Sequence, residues 1–165
     1  MIAGGESSAL ARLCLDDLAP AAVSSRRVLV RVDFNVPLEG KGEDRRVSSD
    51  VRIRAALPTI RALLGQGATV VLASHLGRPK GGRDPELTMK PVATRLEALL
   101  EREVVYLPEP FEERAGKLVR SSQGGEVFLL ENLRFDPGEE INDPEFASRL
   151  AAFADVFVQD AFGTC

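Results

Sequence analysis

The chain has 165 residues, 44% hydrophobic and 28% charged, which suits one water-soluble domain with a sizeable core and is too short for two. Its net charge of −4 and pI near 5.2 argue against a general nucleic-acid or membrane-surface binder, so any anion site has to be a local basic cluster. Two cysteines near the ends, Cys14 and Cys165, lack metal-ligand spacing and fit a reducing cytoplasm, and the acidic N-terminus (Glu6, Asp16, Asp17) offers neither signal peptide nor membrane span.

In chain order, the β-branched run "VLVRV" (28–32) predicts the first strand. A helix follows, with Ile53, Leu57, Ile60 and Leu64 at helical spacing, Asp50 as N-cap and Gly65 or Gly67 as its stop. Pro58 falls inside that pattern and predicts a kink or two short helices. "TVVLA" (69–73) is the second strand, and Thr88 caps a helix whose apolar face is Val92, Leu96 and Leu99. The third strand is "EVVYL" (103–107). The stretch "FEERAGKLVRSSQGG" after it has the thinnest helical pattern, with only Phe111, Leu118 and Val119. "EVFLL" (126–130) is the fourth strand. Asp143 as N-cap and Pro144 at the first helical position then open a helix facing inward with Phe146, Leu150 and Phe153. "DVFVQ" (155–159) closes the series. Alternating β and α units with nearly continuous apolar strands predict an α/β fold: a Rossmann-like parallel sheet covered on both faces, three layers α/β/α. No repeat, low-complexity stretch or linker divides it.

Ligands of open parallel sheets bind beyond the carboxyl ends of the strands, and here those ends are polar. Asp33 and Asn35 follow the first strand, His75 and Arg78 the second, Arg134 the fourth, and Asp160, Gly163 and Thr164 the fifth. Arg52 in the first turn of the first helix can face the same edge. Arginine forks match phosphate and carboxylate oxygens, so three arginines and a histidine make a site for a small, highly charged anion, while Asp33 and Asn35 suit a hydroxyl. Each residue alone has an ordinary structural explanation. A lone histidine is usually structural, Asp33 and Asn35 are turn residues ahead of Pro37, and most arginines are solvated. Arg31 sits two positions from Asp33 on one strand face, where a structural ion pair is as good a reading as a ligand contact. "PGEEINDPEF" (137–146) reads as a solvated acidic loop. It is the joint pattern at four strand ends that points to an anion site.

No G-x-x-x-x-G-K-[ST] and no G-x-G-x-x-G after the first strand are found, which disfavours a dinucleotide-dependent dehydrogenase. "GRPKGG" (77–82) lacks the lysine and hydroxyl of a phosphate cradle, and no Cys, His and carboxylate cluster suggests a metal.

The strings "RVDFNVP" (31–37), "DVRIRAALPTI" (50–60), "ASHLGRPKG" (73–81), "KPVA" (90–93), "LLENLRF" (129–135), "PGEEINDPEFA" (137–147) and "DAFGT" (160–164) resemble, in order and spacing, the phosphoglycerate kinase family. The resemblance runs from about Leu15 to the last residue. It implies the N-terminal, 3-phosphoglycerate-binding domain of a two-domain kinase, occupying 1–165 and incomplete at its C-terminus. The family continues past "DAFGT" with alanine, histidine and another phosphate-binding arginine, whereas Cys165 stands at the alanine position here. The resemblance implies that the nucleotide-binding domain lies outside this chain.

The implied activity is reversible phosphoryl transfer between 1,3-bisphosphoglycerate and ADP, giving 3-phosphoglycerate and ATP in glycolysis. The resemblance implies that Asp33, Phe34 and Asn35 hold the C2 hydroxyl and neighbouring oxygens. It also implies that His75, Leu76, Gly77, Arg78 and Arg134 form the 3-phosphate side, and that Arg52 meets the carboxyl end and the phosphoryl group in transit. The family uses Mg-ATP or Mg-ADP, which this chain is expected not to bind, and it implies a cytoplasmic monomer without nucleic-acid or membrane partners. The acceptor carboxylate is ionised near neutral pH, so no general base is needed. The alternative expectation is a non-catalytic, phosphoglycerate-binding module.

Overall fold

A computed structural model describes residues 20–80 and 82–161. A short helix α1 (Pro20–Val23) leads into β1 (Arg27–Val32), followed by an antiparallel hairpin of β2 (Leu38–Glu39) and β3 (Arg46–Val47). Then come α2 (Val51–Gly65), β4 (Thr69–Ala73), α3 (Lys90–Leu100) and β5 (Val105–Leu107). The order ends with α4 (Glu113–Arg120), β6 (Val127–Leu130), α5 (Pro144–Ala151) and β7 (Val156–Asp160). Five strands pair in parallel in the order β5-β6-β4-β1-β7.

Successive side chains of a strand point to opposite faces, so a sheet covered on both sides needs unbroken apolar strands. Val28, Val30 and Val32 of β1 pack on one face with Ile53 and Ile60 of α2 and Val92 and Leu96 of α3. Leu29, Val71, Phe128 and Leu130 pack on the other with Ala115 and Val119 of α4 and Phe146 of α5. The expected three-layer α/β arrangement is therefore present. β7 lies at the edge and alternates, with Val156 and Val158 against the core and Phe157 62% exposed.

Several local expectations need correction. α2 runs unbroken through Pro58; Pro58 and Arg54 both lie on its exposed side, so the carbonyl that loses its partner is open to water. Asp50 precedes α2 without a side-chain cap bond, because Arg54 and Arg95 take its carboxylate. The stop is at Gly67, whose φ of +78° suits glycine, with Gly67 N–H bonded to Leu64 O and Ala68 N–H to Leu63 O. Met89, not Thr88, holds the N-cap position of α3; the Thr88 hydroxyl bonds Tyr106 and Glu131 and accepts only a long contact of 3.5 Å from Lys90 N–H. β5 starts at Val105 because the Val104 N–H is bonded to Glu97 Oε2. Asp143 caps α5 as expected, accepting from Phe146 N–H at 2.9 Å with Pro144 at the first helical position. α4 exists despite its thin pattern, burying Ala115 and Val119.

Candidate functional site

Because β1, β4 and β6 are neighbours in the sheet, the segments leaving them, 33–35, 74–78 and 131–134, emerge side by side. Buried polar side chains lock these exits together. Ser74 Oγ accepts from Phe34 N–H at 2.9 Å and donates to the His75 carbonyl at 3.2 Å. Asn132 Oδ1 accepts from Leu76 N–H at 3.0 Å and Arg134 N–H at 3.1 Å. Its Nδ2 donates to the carbonyls of Leu76 and Leu87 at 2.7 and 3.0 Å, which uses the amide's full capacity. The Glu131 carboxylate accepts from Met89 and Asn132 N–H, Thr88 Oγ1, Tyr106 OH and Arg83 Nη2. The sequence reading passed over all three residues. Only Glu131, a charged residue directly after the apolar run of β6, left a signal in the sequence.

The charged groups stand on this frame. Glu139 bridges two guanidinium groups, with Oε1 2.9 Å from Arg31 Nη2 and Oε2 3.2 Å from Arg134 Nε. Arg31 Nη2 also lies 3.2 Å from His75 Nδ1. A guanidinium only donates, so Nδ1 is the acceptor and the neutral ring carries its proton on Nε2. Burial and the charges of Arg134 and Arg31 lower the His75 pKa, keeping the ring neutral. Arg134 Nη1 donates to the Gly77 carbonyl at 3.3 Å, and Gly77 N–H donates to Asn35 Oδ1 at 2.9 Å. Gly77 has φ +63°, which favours glycine, and a Cβ there would displace Leu87 Cδ2, 2.7 Å away. Arg52 Nη1 bonds both oxygens of Asp33 at 2.8 Å, and Arg78 is exposed without a bonded partner among the described residues.

Asp33, Asn35, Arg52, His75, Arg78 and Arg134 thus share one edge of the sheet. Phe34 and Leu76 bury their side chains in the core. The acidic loop is largely exposed as expected, except that Glu139 is drawn inward by two arginines. Arg31 pairs with Glu139 and Asp33 with Arg52, so the suggested Arg31–Asp33 pair does not form. Asp160 ends β7 half-buried, its carboxyl pKa raised by burial, while Gly163, Thr164, Cys14 and Cys165 lie outside the described residues. A cavity of about 850 Å³ opens between the sheet and α5. It touches the rim only at Arg31, Arg134 and the Glu139 turn.

The family model described as phosphoglycerate kinase matches residues 15–165. The chain belongs to the phosphoglycerate kinase family. It is 56% identical over 142 residues to phosphoglycerate kinase of Desulforudis audaxviator, covering 86% of this chain and 35% of that protein. With phosphoglycerate kinase of Rippkaea orientalis it is 53% identical over 148 residues, 90% of this chain and 36% of the relative. Two solved phosphoglycerate kinases superimpose on it. The Coxiella burnetii structure gives a TM-score of 0.73 at 36% identity over 86% of this chain and 34% of that one. The Pyrococcus horikoshii structure gives 0.74 at 34% identity over 91% and 36%. The chain therefore spans about a third of the length of these phosphoglycerate kinases.

The matched range contains every rim residue. Among the described residues no three His, Cys, Asp or Glu side chains are grouped to hold a metal ion, and Asp33 at the rim is bonded to Arg52. No magnesium–nucleotide complex is assigned to the rim. No described helix is long and apolar enough to cross a membrane.

Proposed function

We propose that this chain forms the 3-phosphoglycerate side of a cytoplasmic, monomeric phosphoglycerate kinase, serving reversible phosphoryl transfer between 1,3-bisphosphoglycerate and ADP. The observation that carries the reading is the convergence of Arg31 and Arg134 on one carboxylate, with His75 bonded to Arg31 and with Arg78, without a bonded partner among the described residues, next in sequence to Gly77. Oriented guanidinium groups around a carboxylate suit phosphate oxygens.

Arg134, Arg78 and the Nε2–H of neutral His75 hold the 3-phosphate. Asp33 accepts from the C2 hydroxyl and Asn35 donates through Nδ2, its Oδ1 being bonded to Gly77 N–H. Phe34, Leu76 and Gly77 act through backbone already bonded to Ser74, Asn132 and Asn35, keeping the rim in shape around the ligand. Arg52 turns from Asp33 toward the carboxyl end and neutralises charge on the phosphoryl group in transit. Such transfers gain their rate from positioning and charge neutralisation.

Calorimetry with 3-phosphoglycerate and with Mg-ATP, beside a coupled kinase assay, tests this reading. Salt-sensitive binding of 3-phosphoglycerate without ATP binding is expected, and turnover only when a nucleotide-binding portion is supplied. ATP binding as tight as that of 3-phosphoglycerate, or robust turnover by the 165 residues alone, overturns it.

A further inference from the structure

We infer that Glu139 is an internal competitor for the anion site: its carboxylate occupies the Arg31–Arg134 pair until a ligand phosphate displaces it. This inference rests on the phosphate-site reading above. One carboxylate oxygen goes to each arginine, at 2.9 and 3.2 Å, and the three side chains are only 13–21% exposed. Two guanidinium groups so placed repel each other in poorly solvated surroundings, and an anion between them relieves that cost. Glu139 supplies that anion. Glu140 adds a second carboxylate oxygen 3.4 Å from Arg134 Nε.

A phosphate seated between Arg31 and Arg134 competes for the N–H groups that Glu139 holds, Arg31 Nη2 and Arg134 Nε. Arg31 Nη2 serves Glu139 and His75, Arg31 Nη1 serves the Ala73 carbonyl, and Arg134 divides its bonds between Glu139 and Gly77. Ligand and Glu139 cannot share these donors without placing like charges within a few ångströms. Ligand affinity is therefore a difference, the new contacts less those given up by Glu139. The displaced side chain has somewhere to go. Gly138, Glu139, Glu140 and Asn142 line the cavity of about 850 Å³ beside α5. The turn is tied to its own surroundings through Gly138 N–H to Asp136 Oδ1 and Asp143 N–H to Gly138 O, while Ile141 at its tip is 74% exposed. Its tip can shift with α5 staying in place.

The test is a calorimetric titration of the full chain, Glu139→Gln and Arg134→Ala with inorganic phosphate and 3-phosphoglycerate at fixed ionic strength, together with amide NMR of residues 138–142 in the unsubstituted chain. Glutamine keeps the shape and an acceptor but removes the charge, so binding should tighten about 3- to 30-fold. The turn amides should shift as the unsubstituted chain saturates. A folded Glu139→Gln that binds equally or more weakly overturns the inference, making Glu139 a group that merely orients the arginines. Turn resonances that stay put at saturation overturn it as well, and they decide the matter alone if the variant does not fold. Binding that is weakened by Arg134→Ala but not tightened by Glu139→Gln defeats the competitor and leaves the phosphate site standing. No binding by any of the three chains defeats both.

Discussion

One Arg52 nitrogen lies 2.8 Å from both carboxylate oxygens of Asp33, tying the first turn of α2 to the exit of β1. The Arg52 side chain is 51% exposed, so this is a surface pair, worth about 0–1 kcal/mol to stability. Asp33→Ala also removes the Oδ1 acceptor of Asn35 N–H at 3.2 Å, so it should lower stability modestly, by about 1–2 kcal/mol in all. It should also weaken 3-phosphoglycerate binding by about 1–3 kcal/mol through the lost acceptor for the hydroxyl. Calorimetry and urea titration on the same variant separate the two effects. A large loss of stability with unchanged binding would make the pair purely structural.

Arg78 and Arg134 should behave differently from each other. Each truncation to alanine should cost about 1.5–3 kcal/mol of 3-phosphoglycerate binding, the range for hydrogen bonds to a charged group. Only Arg134→Ala should also lower stability, because Arg134 holds Glu139 and the Gly77 carbonyl, whereas Arg78 has no bonded partner among the described residues. Arg102, bonded to the Gly125 carbonyl away from the rim, is the control whose truncation leaves binding unchanged. Equal behaviour of all three in a shift titration would reduce the rim to a diffuse charge effect.

Acid should unfold the protein in two windows. Burial, Arg134 and Arg31 depress the His75 pKa, so below about pH 6.5 the unfolded chain binds a proton that the folded one refuses. That contribution is complete above the unfolded value and is lost as pH falls through it toward the folded one. Hydrogen bonds from Arg27 pull Asp155 to about 2, so its contribution is present above its ordinary 3.8 and is lost as pH falls toward about 2. Urea midpoints followed from neutral pH downward should lose the first slope in His75→Gln and only part of the second in Asp155→Asn, because hydrogen bonds from Arg54 and Arg95 also hold the Asp50 carboxyl below its ordinary range. A first slope that persists in His75→Gln would assign it to another group.

Much of this architecture is legible in the sequence because parallel strands buried on both faces must be apolar throughout. "TVVLA" matches β4 residue for residue. Asp143 and Pro144 likewise announce the start of α5 through local chemistry alone. Pairings between distant segments are harder to read. Nothing near Glu139 in sequence reveals that Arg31, 108 positions earlier, will draw it out of an acidic loop. Thr88 looks like a cap, yet its hydroxyl bonds Tyr106 and Glu131. The tiny hairpin of β2 and β3 gives no signal, since two residues per strand cannot show alternation. Among the rim residues, arginines and His75 stand out by type, whereas Ser74 and Asn132 emerge only from a count of what each backbone group bonds to.

The pairing of β7 with β1 has a consequence for synthesis on the ribosome. Arg27 N–H and side chain both bond Asp155, and 128 positions separate the two residues. At about 5–20 residues per second, the β7 side of β1 waits roughly 6–26 s for the strand that completes it. During that interval β1 can gain β4 as a neighbour while its other edge is a row of unpaired amides and carbonyls, open to any extended segment nearby. Translation speed between β1 and β7, and the availability of a holding chaperone, should therefore govern how much of this chain reaches its native sheet.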